Sequence, residues 1–236
     1  MNTHFAGFPE PGMAFLRGLK RNNKREWFQA RKQVYEEMVK APMVEMVEAL
    51  NESLASRVPD FVTEPAKAIY RIYRDTRFSS DKTPYKTHIA ASFFHGRLAK
   101  HAAAGFYFSV SPEEIEVAAG LYMPGPEQLL AVRSHIADRH AEFRRLITAK
   151  ALVKAMGTMQ GQQLSRAPKG FPPQHPAGDL IRYKQWLFYT ILDGGLAATS
   201  RLFGEVARRF ELLTPFVEFL NRPLLTRKKT ASAADL

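Results

Sequence analysis

Two short alternating runs around a tight polar turn constrain this chain most. Gly105-Phe-Tyr-Phe-Ser-Val110 and Ile115-Glu-Val-Ala-Ala-Gly-Leu-Tyr122 flank Ser111-Pro112-Glu113-Glu114, and a proline at the second turn position is preset for a type I turn. Successive strand side chains point to opposite faces. Phe106, Phe108 and Val110 therefore share one face, and Tyr107 and Ser109 the other. Ile115, Val117, Ala119 and Leu121 likewise oppose Glu114, Glu116, Ala118 and Tyr122. One covered and one half-wet face suits an antiparallel sheet packed by helices.

The rest of the chain supplies the other parts. His88–His95 reads as a strand, and Ile69, Tyr70, Ile72 and Tyr73 give an earlier one its β-branched and aromatic content. Met13, Phe15, Leu16 and Leu19 predict a helix over 12–21. Asn23 is placed to cap the next, with Glu26 three residues on, and that helix runs to about residue 40. Pro42 opens another, with Met43, Met46, Val47, Leu50 and Leu54 on its buried face. After Pro124-Gly125-Pro126 come helices to about Arg139 and over 140–150, and residues 167–178 are a proline-rich loop. Leu180, Tyr183, Lys184, Leu187, Phe188 and Ile191 fit a helix opened by Asp179. Leu202–Phe210 gives one more, and Thr214-Pro215 begins the last. The expectation is α+β: a single domain over 1–222, with an antiparallel sheet of about four strands packed by N- and C-terminal helices, and a basic flexible tail over 223–236.

At 236 residues, with 45% hydrophobic and 24% charged side chains, the chain has the ordinary globular mixture. Without cysteine there is no disulfide, thiolate metal site or cysteine nucleophile. The first ten residues lack a basic start followed by an apolar run, and no stretch approaches the roughly 18 apolar residues of a membrane helix. The expected location is the cytoplasm, with no membrane partner. Net charge is +11, of which residues 221–236 carry +3 and the remainder +8. Such a body favours anionic partners, although charge of this size also serves solubility alone.

The positive charge concentrates in one bend. Arg71, Arg74, Arg77, Lys82 and Lys86 stand against Asp75 and Asp81, with Tyr85 among them. An irregular loop so charged is costly to order unless its charges meet one another or a ligand. Arginine captures phosphate or carboxylate in planar, bidentate fashion, and lysine adds a mobile point charge. Alternation puts Arg71 and Asp75 on one strand face and Arg74 on the other. His175 in the proline-rich loop, with Arg182 and Lys184 beyond it, is expected to bring a proton shuttle and further charge to the same place. In a catalytic site, Asp75 or His175 would be the acid or base and the arginines would stabilise charge. The competing account is an internal ion-pair network that pins the loop. His88 and His95 fall on opposite strand faces, so no metal pair is expected. Phosphate-loop, dinucleotide, zinc-protease and serine-hydrolase signatures are missing, and no cofactor is implied. The partner expected is a phosphate-bearing small molecule. Nucleic acid is the alternative, since Tyr70–Lys86 interleaves aromatic and basic residues. A protein-interaction domain with a purely structural cluster is the third option.

Arg71-Ile-Tyr-Arg-Asp-Thr-Arg-Phe-Ser-Ser-Asp-Lys-Thr-Pro-Tyr-Lys-Thr87 is a long and specific run. With Asn22-Asn-Lys-Arg-Glu-Trp-Phe28, Gly120-Leu-Tyr-Met-Pro124, Pro168-Lys-Gly-Phe-Pro-Pro-Gln-His-Pro176 and Leu180-Ile-Arg-Tyr-Lys184, it resembles the uncharacterised family called domain of unknown function 2461, over roughly residues 5–222. The resemblance implies one α+β domain and a shared polar motif. It carries no substrate, cofactor or catalytic residue.

Overall fold

The computed structural model describes residues 5–77, 79–99 and 102–233, with side chains through Thr226. His101 and the last three residues of the expected tail lie outside the described residues. Helix α1 (Glu10–Arg21) carries Pro11 in its first turn, where the missing N–H forfeits no bond. It buries Met13, Phe15, Leu16 and Leu19 at helical spacing. The single helix expected to residue 40 is broken into α2 (Arg25–Gln29), α3 (Lys32–Tyr35) and a π-helical segment, Glu36–Lys40. That segment feeds α4 (Ala41–Ala55), which has Pro42 in its first turn. The cap of α2 is Lys24, not Asn23, because the Asn23 side chain is engaged elsewhere.

A 3₁₀ turn (Pro59–Phe61) and α5 (Pro65–Ala68) precede the charged bend. The strand expected over 69–73 does not form as such. Ile69 bridges Ala91, and Tyr73 bridges Tyr85, each as a single antiparallel position. The physical reason is a change of partner. Tyr70 N–H donates to Ala90, whereas Arg74 N–H donates to Pro84 and Lys86 N–H to Ile72. The segment leaves the sheet and pairs with its own return limb before either pairing reaches strand length.

The sheet comprises β1 (Ile89–Phe94), β2 (Gly105–Val110), β3 (Glu114–Leu121) and β4 (Trp186–Asp193), antiparallel and in that order. The hairpin alternation holds: Phe106, Phe108, Ile115 and Val117 are buried, Tyr107 and Glu116 half-buried. Strand β4 corrects the helix expected over Leu180–Ile191. The run from Trp186 to Leu192 is apolar or aromatic at nearly every position, so helical spacing could be found in it, yet its rings and branched side chains favour a pleated surface. Buried Trp186 and Phe188 alternate with Leu187 and exposed Tyr189. Only α9 (Gly178–Ile181) precedes it; Ala177 is its cap, and Asp179 lies within its first turn.

Between β3 and α9 lie α6 (Pro126–Asp138), α7 (His140–Ile147) and α8 (Lys150–Met156). A 3₁₀ segment (Gly194–Ala198) leads to α10, Arg201–Ala233. This helix runs unbroken through Pro215 and Pro223, where a new start was expected at Thr214. The Thr214 hydroxyl donates to the Phe210 carbonyl, 2.9 Å, and buried Leu213, Phe216, Val217, Phe219 and Leu220 hold the helix across the proline.

The described residues fall into two compact units: those up to Phe93 with Tyr107–Val117 and Ile191–Arg208, and those of 94–106 with Ala118–Thr190 and from Arg209 onward. The first has an aromatic centre in which Phe28 stacks on Tyr85, ring centroids 4.2 Å apart, beside Phe15 and Tyr35. In the second, Phe106 meets Phe210, Phe143 meets Phe219, and Phe188 meets Phe216 edge-on. There Asn221, 1% exposed, accepts from Ala104 N–H (2.8 Å) and donates to its carbonyl (3.0 Å). Gly120 of β3 has φ +134°, and a Cβ on it would sit 2.1 Å from the Trp186 carbonyl oxygen.

Candidate functional site

The first unit holds the charged bend, and most of its charges are matched from within. Arg77 grips Asp75 through Nε (3.0 Å) and Nη2 (2.8 Å). Arg74 bonds both Asp81 and the Thr83 hydroxyl. Asp81 also accepts from Thr83 N–H, 2.9 Å, and Lys82 Nζ donates to the Thr76 carbonyl, 2.9 Å. The Arg77 hydrogen bonds hold the Asp75 carboxyl at a pKa of about 2, and Arg74 followed by Thr83 does the same for Asp81. A carboxylate so spent is a poor base at neutral pH.

Because both pKa values lie below the ordinary 3.8, the pairs contribute to loop order above about pH 4 and fade as pH falls toward 2. In a carbon-13 NMR titration we expect both carboxyls to have midpoints near 2. Arg74→Ala should return Asp81 toward 3.8 and leave Asp75 in place. A native Asp81 midpoint at 3.8 would show that the Arg74 pair does not form in solution.

Tyr85 is 2% exposed and belongs to the aromatic centre. Its main chain is held by Asn23, whose Oδ1 accepts from Tyr85 N–H (3.0 Å) and whose Nδ2 donates to the carbonyl (2.9 Å). One asparagine thus substitutes for a strand neighbour and fixes the exit of the bend.

Two cations remain. Among the described residues, neither Arg71 nor Lys86 has a carboxylate within ion-pair distance. Arg71 is exposed. Lys86 is half-buried, with Nζ 5.2 Å from the centre of the Tyr70 ring. Burial, and then Arg71, push its pKa down. Around them lies a polar patch built from Tyr70 and the half-wet face of the hairpin. The Ser92 hydroxyl donates to the Tyr70 oxygen, 2.9 Å, and the Tyr70 and Tyr107 rings are 6.3 Å apart. Burial, then Lys86, lowers the His88 pKa; burial, then Glu114, raises that of Glu116; burial raises that of Tyr107. Clustered perturbed groups of this kind mark functional sites more often than plain surface. Alternation had placed Tyr107 and Glu116 on this face, but nothing in their spacing singled out Tyr70, His88, Tyr107 or Glu116 as site residues.

The second unit holds the remaining expected residues. His175 Nδ1 accepts from Ala177 N–H, 3.0 Å, and anchors its loop. Lys184 is exposed, its N–H donating to Gln162. Arg182 lines a groove of about 880 Å³ that also takes in Arg144, Lys150, Lys154 and Tyr183. Its Nε is buried without a hydrogen-bond partner among the described residues. Arg144 is bidentate on Asp179, 2.6 and 2.9 Å, which keeps that carboxyl below its usual range. Among the described residues, no three histidine, aspartate or glutamate side chains are grouped to hold a metal ion.

Fold and bend together define a class: α+β proteins with one four-stranded antiparallel sheet and an ion-paired basic bend. The chain belongs to the DUF2461 family, described as a conserved hypothetical protein, whose sequence model matches residues 12–219. No curated protein matches the chain. No described helix is long and apolar enough to cross a membrane.

Proposed function

We propose that this protein binds a small phosphate-bearing anion at Arg71 and Lys86. The observation that carries the proposal is the contrast within the bend. Arg74, Arg77 and Lys82 are satisfied by the loop itself, whereas Arg71 and Lys86 sit close enough for one to lower the other's pKa. Among the described residues neither has a carboxylate within ion-pair distance, Asp75 acting on Arg71 only from farther off while Arg77 grips it. Two like charges, one of them half-buried, are held together at a cost that a bound anion reverses. The internal pairs then serve to preorganise the site: they hold the bend in shape so that a ligand need not order it. Asp75 is spent on Arg77, so the function proposed is recognition, with no bond-breaking step assigned.

Thermal melts in inorganic phosphate and in a panel of phosphorylated metabolites test this. A ligand at 100 times its Kd stabilises by about 2.7 kcal/mol, a rise of roughly 5–10 °C for a chain of this size. We expect such a rise for particular phosphorylated compounds and its loss in Arg71→Ala, whose unliganded melting point stays unchanged because Arg71 is exposed. The proposal is refuted if every compound that stabilises the native protein stabilises the variant equally, or if no compound gives a rise. Salt-sensitive binding of oligonucleotides of any sequence would move the assignment to nucleic acid.

A further inference from the structure

We infer that the groove of the second unit is a separate binding site for an organic pyrophosphate, a molecule with a diphosphate at one end and an apolar or aromatic body at the other. Its charge is unbalanced. Arg144, Lys150, Lys154 and Arg182 line it against one carboxylate, Asp179, and Arg144 already neutralises that carboxylate in a bidentate pair. Three cations are left. Lys150 and Lys154 lie four apart on α8, hence side by side on one helix face, and among the described residues neither has a carboxylate within ion-pair distance. A diphosphate monoester carries about as many negative charges as these three side chains carry positive ones, and arginine with lysines is the usual donor set for it.

The remainder of the lining calls for a body as well as a charge. Ile147, Val153, Met159 and Leu180 supply apolar surface and Tyr183 a ring. At about 880 Å³ the groove falls within the size range of sites for whole organic ligands, roughly 300–1,000 Å³. A bare inorganic ion would leave most of it wet.

The walls are fixed by main chain. Gln160 exchanges both backbone hydrogen bonds with Leu187 of β4, 2.7 and 3.0 Å, and Leu164 N–H donates to Arg182, 2.8 Å. These bonds set the strip that carries Thr158, Met159 and Gln163. Arg144 in addition ties α7 to the loop through the Pro176 carbonyl, 2.9 Å, as well as to Asp179. Lining residues held by such bonds need no ligand to order them.

Isothermal titration calorimetry of the full chain tests this, with ADP and geranyl diphosphate as the organic probes and inorganic pyrophosphate as the bare head. We expect saturable binding of at least one organic probe, at least tenfold tighter than pyrophosphate, and which of the two binds distinguishes a nucleotide from an apolar-chain ligand. Lys150→Gln combined with Lys154→Gln should weaken it tenfold or more, with melting unchanged because both lysines are exposed. Arg71→Ala should leave it unaltered, which separates this site from the one proposed in the first unit. Binding of neither organic probe, affinity equal to that of bare pyrophosphate, full affinity in the double lysine variant, or loss in Arg71→Ala would each overturn the inference.

Discussion

Replacing Asn221 with leucine is expected to destabilise the protein by roughly 2–6 kcal/mol, read as a large fall in its urea midpoint. Asn221 is almost fully buried on α10 and serves both main-chain groups of Ala104, just ahead of β2. Leucine keeps the branched four-atom shape and removes the polarity, so the change opens no cavity, although its bulkier methyl groups add a packing cost to the lost hydrogen bonds. It leaves one buried N–H and one buried C=O unmatched, each costing about 1–3 kcal/mol. A loss under about 0.5 kcal/mol would mean that Ala104 finds water in the variant and that the clip contributes little.

Gly120→Ala carries the second large effect. A Cβ here would lie 2.1 Å from the Trp186 carbonyl oxygen, and the φ of +134° is one that L side chains rarely adopt. The backbone term alone is of order 1–3 kcal/mol, and the strand contact between β3 and β4 must open in addition. We expect a total above about 3 kcal/mol, seen as lost soluble expression or a collapsed melting transition. Gly157→Ala is the internal control. Gly157 also has positive φ, +77°, but nothing lies within 4 Å of its would-be Cβ, so it should show the backbone term only. Equal losses at the two positions would rule out the steric contact as the cause.

The sequence disclosed the fold best where one period dominates. The 105–122 hairpin alternates cleanly, and α1 and α4 carry apolar residues at helical spacing alone, so all three stand where expected. It misled where two periods coexist. Trp186–Leu192 is apolar almost throughout, and which face is buried depends on neighbours that no local window contains. Asn23 illustrates a second blind spot. A residue that suits a helix cap was read as one, but its partner, Tyr85, is 62 positions away. The prolines of α10 illustrate a third, since burial along one side of the helix outweighs the hydrogen bond that Pro215 removes. In the charged bend, composition revealed the crowding of cations but not its resolution. Which arginine meets which carboxylate depends on the turn at Thr76–Thr83, and only that turn separates Arg71 and Lys86 from the self-matched remainder. Arg182 lines a groove in the second unit, a setting that no local pattern in the sequence announced.

Neither compact unit is a contiguous piece of chain. The polypeptide changes unit after residues 93, 106, 117, 190 and 208, and all four strands, like α10, begin in one unit and finish in the other. No single cut, wherever it is made, can release either unit whole, and a fragment designed to keep the basic bend would take half-strands with it. Evolution faces the same restriction as the experimenter. A single crossover between genes, like a single cut in the chain, transfers neither unit whole.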